Sequence, residues 1–428
     1  MWIKGGQGIG SYVRAGTWCA IVGYSLVRAL TTIRYAWSTL GGDMVATFPG
    51  PLALRIGEAW PGLARPWVVE HLAMGPRKWA YGPVLHIVTL PCALLPTQLD
   101  AMRMMFLWDG ALLAATFLLW TRLLLPQGRP PIAAIAMACL WINFFPLIEV
   151  LVGREIEILE LFLVTLGVWA LRRARQNTAG AAFGIAAMTK FLPVIFVLYL
   201  FVKGYRRAGY VAVGAVLGLA VVAQPLMGWQ WSATLLSARD ELQGRDVRTS
   251  YANQGLTNVL LKTFTARNTA SANPPSLYPN ALLRIGVLVS AGVALATAAF
   301  VIRWRRSPLL ELECALLLIV MCLVALHANT YYFIFALPAL SLGVTALWLQ
   351  PDTMRPQLKA VLAAASISIG FLVPMRILEL VIGVRSVEIA RALQMWCFPA
   401  YGAILAVGLM LELHRLAREP HRAAVSAV

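Results

Sequence analysis

Apolar windows of about 20 residues recur along this chain from near its beginning to near its end. A segment of that length crosses a ~30 Å hydrocarbon core as an α-helix, and lipid offers no water to satisfy unpaired peptide groups, so the windows dictate helices packed side by side. Composition agrees. Of 428 residues, 60% are hydrophobic and 13% charged, and the mean hydropathy is +0.72, outside the balance of a soluble globular domain. No soluble domain of ordinary size separates the windows. The expected architecture is an all-α polytopic membrane protein, a single transmembrane domain over residues 1–428. It would hold about 12 transmembrane or re-entrant helices, with interfacial helices in its first outer loop.

The net charge of +17 does not indicate nucleic acid. The cations gather at the ends of apolar windows, where anionic lipid and the positive-inside rule place them, so membrane lipids are the expected partners. The opening MWIKGGQGIGSYVRAG carries Lys4 and Arg14 ahead of an apolar run, but Arg28 and Arg34 interrupt that run and no clear small-residue cleavage site follows. It reads as a retained first helix. Six cysteines (Cys19, Cys92, Cys139, Cys314, Cys322, Cys397) are scattered through apolar segments with no CxxC pair, so neither a disulfide framework nor a metal site is expected.

Candidate spans are 11–32, 102–123, 131–150, 155–171, 179–203, 207–226, 282–302, 309–326, 331–349, 357–376 and 393–413. The basic connections at Arg172–Arg175, Lys203–Arg207 and Arg303–Arg306, with the tail from His414 through Arg422, belong in the cytoplasm. Span 179–203 then has a basic loop at both ends, which a single crossing cannot produce. A broken hairpin turning near Lys190-Phe191-Leu192-Pro193 can, and each arm of 11–13 residues is too short to cross alone. The first long loop (33–101), the Glu149–Glu157 turn, the second long loop (227–281) and His327 consequently fall outside. Pro83–Pro96 is too short to span and is expected to lie at the interface.

The outer side holds most of the residues with chemical potential, each open to two readings. Asp43 in GGDM is either a solvated loop or capping carboxylate or a general base facing a cavity. Trp79, Tyr81 and Pro83 are either headgroup-level anchors or a wall of a sugar or lipid pocket. Glu149, Arg154, Glu155 and Glu157 crowd one turn; Glu149 and Arg154 pair across it, or these charges orient substrate hydroxyls. Asn253, Gln254 and Asn258 are helix-capping amides or partners for sugar hydroxyls. His327 with Asn329, Tyr331 and Tyr332 is structural or donates to a phosphate oxygen, and Arg239, Arg245 and Arg248 hint at an anionic ligand. Lys190 either snorkels or binds a phosphate.

In order along the chain, GGDM, YGP at Tyr81–Pro83, GREIEILELFLVTLGVWALRR, AAFGIAAMTKFLPVIFVLYLFVKGYRR, YANQGLTNVL and HANTYYFIFALP resemble the polyprenol-phosphate-sugar-dependent membrane glycosyltransferases of family 87. That is the bacterial alpha-mannosyltransferase and arabinofuranosyltransferase group of the GT-C fold. The resemblance covers most of the chain. It departs at Gly153-Arg154, where relatives often have Gly-Gln, at Asn253-Gln254-Gly255, where they have Asn-Gln-Ser, and at Met44, where an aromatic is usual. These differences bear on the sugar and acceptor. The resemblance implies an inverting transfer of a sugar, mannose foremost, from a polyprenyl-phosphate donor to a lipid-linked or glycan acceptor; no cofactor is expected. It implies a multi-pass protein of the bacterial plasma membrane with its site on the extracytoplasmic side. Asp43 would be the base, and Lys190, His327, Arg239, Tyr81, Arg154, Glu155, Asn253, Gln254 and Tyr331 would bind the donor phosphate or substrate. The competing expectation is a lipid or glycan transporter or flippase, against which stands the lack of two-half symmetry in hydropathy or motifs.

Overall fold

The computed structural model describes residues 9–39, 83–125, 132–227, 253–264, 280–325, 328–349, 355–370 and 386–418. Among them the chain is helical throughout, and the β pairing is one antiparallel bridge between Asn253 and Asn329. The helices are α1 (Ile9–Ser38), α2 (Pro83–Ala93), α3 (Gln98–Leu124), α4 (Ile132–Asn143), α5 (Phe145–Gly153), α6 (Glu157–Arg172), α7 (Gln176–Lys190), α8 (Val194–Val202) and α9 (Arg206–Met227). They continue with α10 (Leu256–Phe264), α11 (Asn280–Arg303), α12 (Leu310–Val324), a 3-10 turn (Thr330–Ala336) leading into α13 (Leu337–Leu349), α14 (Pro356–Gly370), α15 (Ser386–Met395) and α16 (Phe398–Leu416).

Four of these helical units are long and apolar enough to cross a membrane, or five if the bent α4–α5 pair is one span. The chain is thus a polytopic helical membrane protein. Among the described residues several other apolar windows form shorter or broken helices. Span 131–150 breaks at Phe144 and bends by 58°, where Pro146 enters the first turn of α5 and cannot continue a ladder from α4. Burial sorts the helices into lipid-facing and central. On α9 and α11, Leu217, Val221, Leu288 and Leu295 are exposed, as a lipid-facing surface requires, whereas α12 is buried at nearly every position from Leu310 to Leu323. The helix expected at the interface is α2; its Leu85 and His86 are fully buried and it packs against α3, α7 and α9. An 11-residue segment that is apolar nearly all round has no polar face to turn to water.

The chain reverses between α7 and α8. Phe191 caps α7 in the left-handed conformation with φ 63°, and Pro193 opens α8. Phe183 and Phe196 stack with ring centroids 5.3 Å apart; along an unbroken helix, 13 residues would separate them by about 20 Å. Arg207 Nε donates to Asn177 Oδ1 at 2.8 Å, joining the residues that flank the two arms. Both arms therefore begin and end at the same end of the bundle. Small residues let α7 lie close to α9: a Cβ on Gly180 would strike the Ala208 carbonyl, and one on Gly184 the Ala212 carbonyl.

The four basic connections of the sequence meet at that same end. Lys203 Nζ donates to the Trp304 and Ser307 carbonyls at 3.1 and 2.9 Å and pairs with Glu313. Glu313 also accepts from Tyr199 Oη at 2.7 Å and faces His414 at 3.9 Å. Arg172 forms a bidentate pair with Glu311, and Arg418 lies over the Trp304 ring. The helices run from this basic end to an opposite end, where Lys190 meets Glu157.

Candidate functional site

At the opposite end, Lys190 ends α7 and points its ammonium at Glu157, the first residue of α6. The two side chains are 4% and 0% exposed, so this ion pair lies in the protein interior. The ammonium also sits 4.6 Å above the Tyr332 ring and 5.6 Å above that of Tyr331, and the two rings stack on each other. Lys190 is therefore at the hairpin tip, as expected, but it neither snorkels to the surface nor stands as an isolated phosphate ligand. Its depth is compensated by a carboxylate and two aromatic faces.

Carboxylates surround the pair. Glu155 and Glu160 both lie within electrostatic reach of Lys190 and Glu157, and Asp109, midway along α3, lies within reach of Arg154, Glu155 and Glu157. Asp109, Glu157 and Glu160 are buried, and Glu155 is 8% exposed. Among the described residues, Oε2 of Glu155 and of Glu157 and both oxygens of Glu160 meet no hydrogen-bond donor. Buried acceptors in that state are costly unless a ligand or water supplies the donor.

Arg154 has a different task from the one its sequence position suggests. It occupies the left-handed conformation at φ 58° after α5. Its guanidinium donates to the carbonyls of Met102 (3.0 Å), Ala36 (2.6 Å) and Leu151 and lies 5.0 Å over the Phe106 ring. It ties the end of α1 to α3 and α5. Of the two readings of this turn, the Glu149–Arg154 pair does not form, because carbonyl oxygens already take the guanidinium's donors. Glutamine in its place has too few donors, on too short a stem, to bind all three carbonyls.

Asn253 and Gln254 also spend hydrogen bonds on the chain. Asn253 Oδ1 accepts from the backbone N–H of Gly255 (3.1 Å) and Ala328 (3.0 Å). The Gln254 N–H donates to the Ala328 carbonyl at 2.7 Å, and its side-chain Nε2 donates to the Gln394 carbonyl at 2.9 Å. Gly255 is required by this packing, since a Cβ there would strike the Ala325 carbonyl; the departure from serine thus has a local cause. The clasp connects to the ion pair through Asn329, which is bridged to Asn253 and donates from Nδ2 to Tyr331 Oη at 3.1 Å. The structure brings Lys190, Tyr331, Glu155, Asn253 and Gln254 to one end of the bundle, with Arg154 as a tie beside them. The expectations for Asp43, Tyr81, Arg239 and His327 fall outside the described residues. No group of three or more His, Cys, Asp or Glu among the described residues is arranged to hold a metal ion.

Glu160 and Asp109 were not among the residues singled out as ligands. Their signal was available: carboxylates inside apolar windows are expensive and mark function by default.

The family model of glycosyltransferase family 87 matches residues 79–326, more than half of the chain and the stretch that holds α2 through α12. The chain belongs to glycosyltransferase family 87. No curated protein matches it. As a family 87 member the protein is a membrane-embedded glycosyltransferase, with sugar donor and acceptor substrates, and nothing favours the transporter reading. The matched region includes every residue of the Lys190–Glu157 cluster except Tyr331 and Tyr332, which follow closely on its end.

Proposed function

We propose that the protein is an inverting glycosyltransferase that moves mannose from a polyprenyl-phosphate donor to a lipid-linked or glycan acceptor on the extracytoplasmic face of a bacterial plasma membrane, with Asp43 as general base. The observation that carries this reading is the separation of charge: a buried cluster of carboxylates, one ammonium and two tyrosines at one end, and the basic connections at the other. By the positive-inside rule the basic end faces the cytoplasm, which sets the cluster outside.

Asp43 follows four residues after Thr39, the last described residue beyond α1, and Arg154 holds the end of that helix through the Ala36 carbonyl. In the proposed reaction Asp43 takes a proton from the acceptor hydroxyl, and the freed oxygen attacks the anomeric carbon. The bond from that carbon to the phosphate oxygen breaks, and the polyprenyl phosphate departs with the electron pair, inverting the configuration. Lys190, oriented by Glu157, offers positive charge to the departing phosphate in a water-poor site, where such charge acts strongly. Glu155 and Tyr331 hold sugar hydroxyls, which suit acceptors that lack protein donors. His327, Arg239 and Tyr81 supply further donor contacts.

Purified protein in liposomes, given a short-chain polyprenyl-phosphate mannose or a nucleotide mannose with a lipid acceptor, tests the donor class. Transfer from the polyprenyl donor alone is expected. Transfer from the nucleotide sugar alone would refute it.

A further inference from the structure

A second site lies far from this cluster. At the basic end, the termini of α3, α6, α12 and α13 diverge around a cleft of about 430 Å³. One part of its wall carries Arg122, Arg172, Arg173 and Glu311; the other is apolar, with Leu312, Leu342 and Ala346 among its residues. Three cations against one carboxylate leave the lining at net +2 (3 − 1), and Glu311 is already engaged by the Arg172 fork. Arg122 and Arg173 remain for an anion, Arg173 held over the Trp169 ring at 5.7 Å. We propose that this cleft binds the headgroup of an anionic phospholipid, with an acyl chain against Leu312, Leu342 and Ala346. Charge complementarity and position both select that occupant. Planar guanidinium groups match a phosphodiester, and the cleft opens where the membrane-crossing helix α3 ends, below its exposed Leu118. A lipid that presents phosphate at the headgroup level and hydrocarbon beneath it fits both halves at once.

The test uses the full chain in nanodiscs of phosphatidylcholine with 20 mol% phosphatidylglycerol, extracted into detergent and examined by native mass spectrometry for retained lipid. Wild type should keep phosphatidylglycerol in preference to phosphatidylcholine. Arg122→Gln/Arg173→Gln, which leaves the Arg172–Glu311 pair intact, should retain roughly 30-fold less, the scale expected for two membrane-surface cations. Arg305→Gln/Arg306→Gln removes two cations from the same end outside the cleft and should stay within about twofold of wild type. Equal loss in the two double variants would mean a diffuse field and no site, overturning the proposal. So would wild type without lipid preference, or displacement of the lipid by millimolar inorganic phosphate, which would mark a free-anion site.

Discussion

A lysine between AAMT and FLPV is tolerated because Glu157, 33 residues away in the chain, closes on it. Removing one partner of a buried pair leaves the other charge uncompensated, so Lys190→Met should lower stability by about 3–5 kcal/mol, and Glu157→Gln/Lys190→Met should recover most of that loss. Thermal unfolding in detergent reads both. Sugar transfer should stay low in the folded double variant, because stability returns without the cation. If the double variant transfers like wild type, the pair is purely structural. Arg154→Gln should cost about 1–3 kcal/mol by removing the guanidinium's buried bonds to the Ala36, Met102 and Leu151 carbonyls, measured in the same way. The sequence made the depth of Lys190 evident but not its partner, because a contact across 33 residues has no local signature. Asn253 and Gln254 illustrate the same point: amides suited to a sugar are equally suited to a backbone clasp, and three-dimensional placement alone separates the two uses.

Among the elements, the α7–α8 hairpin was the most legible, since basic loops on both flanks and Pro193 force a reversal of the chain. The bend at Phe144 was less so, because the apolar run continues across it and Pro146 alone marks the break. Close packing of α7 on α9 yields its own test. Gly184→Leu must push against the Ala212 carbonyl and should destabilise by about 1–3 kcal/mol. Gly214→Ala on α9, with open space around its Cα, should be neutral or stabilise by about 0.5–1 kcal/mol, since a helical glycine is the more costly residue. Thermal midpoints of the purified variants decide, and equal shifts for the two would deny that the helices touch through Gly184.

For the molecule as a whole, the basic end and the charged cluster define the two faces of the membrane domain. Cysteines placed at Gln176 and Arg206 should react with an impermeant reagent from the same side, the cytoplasm, because Asn177 and Arg207 bond to each other; labelling from opposite sides would contradict the hairpin. Fold class was readable from apolar window length alone, and the family from the order of its motifs, because both are properties of the chain at long range. The site was readable in part: its charged residues stand out against hydrocarbon, whereas which of them serve a ligand and which brace the helices depends on partners brought from distant segments. The most direct test of the account is the initial rate of mannose transfer from polyprenyl-phosphate mannose by Asp43→Asn relative to wild type, at matched folding. A proposed general base contributes ~10²–10⁴-fold, so the variant should fall by at least about a hundredfold; a rate within about tenfold of wild type would contradict it.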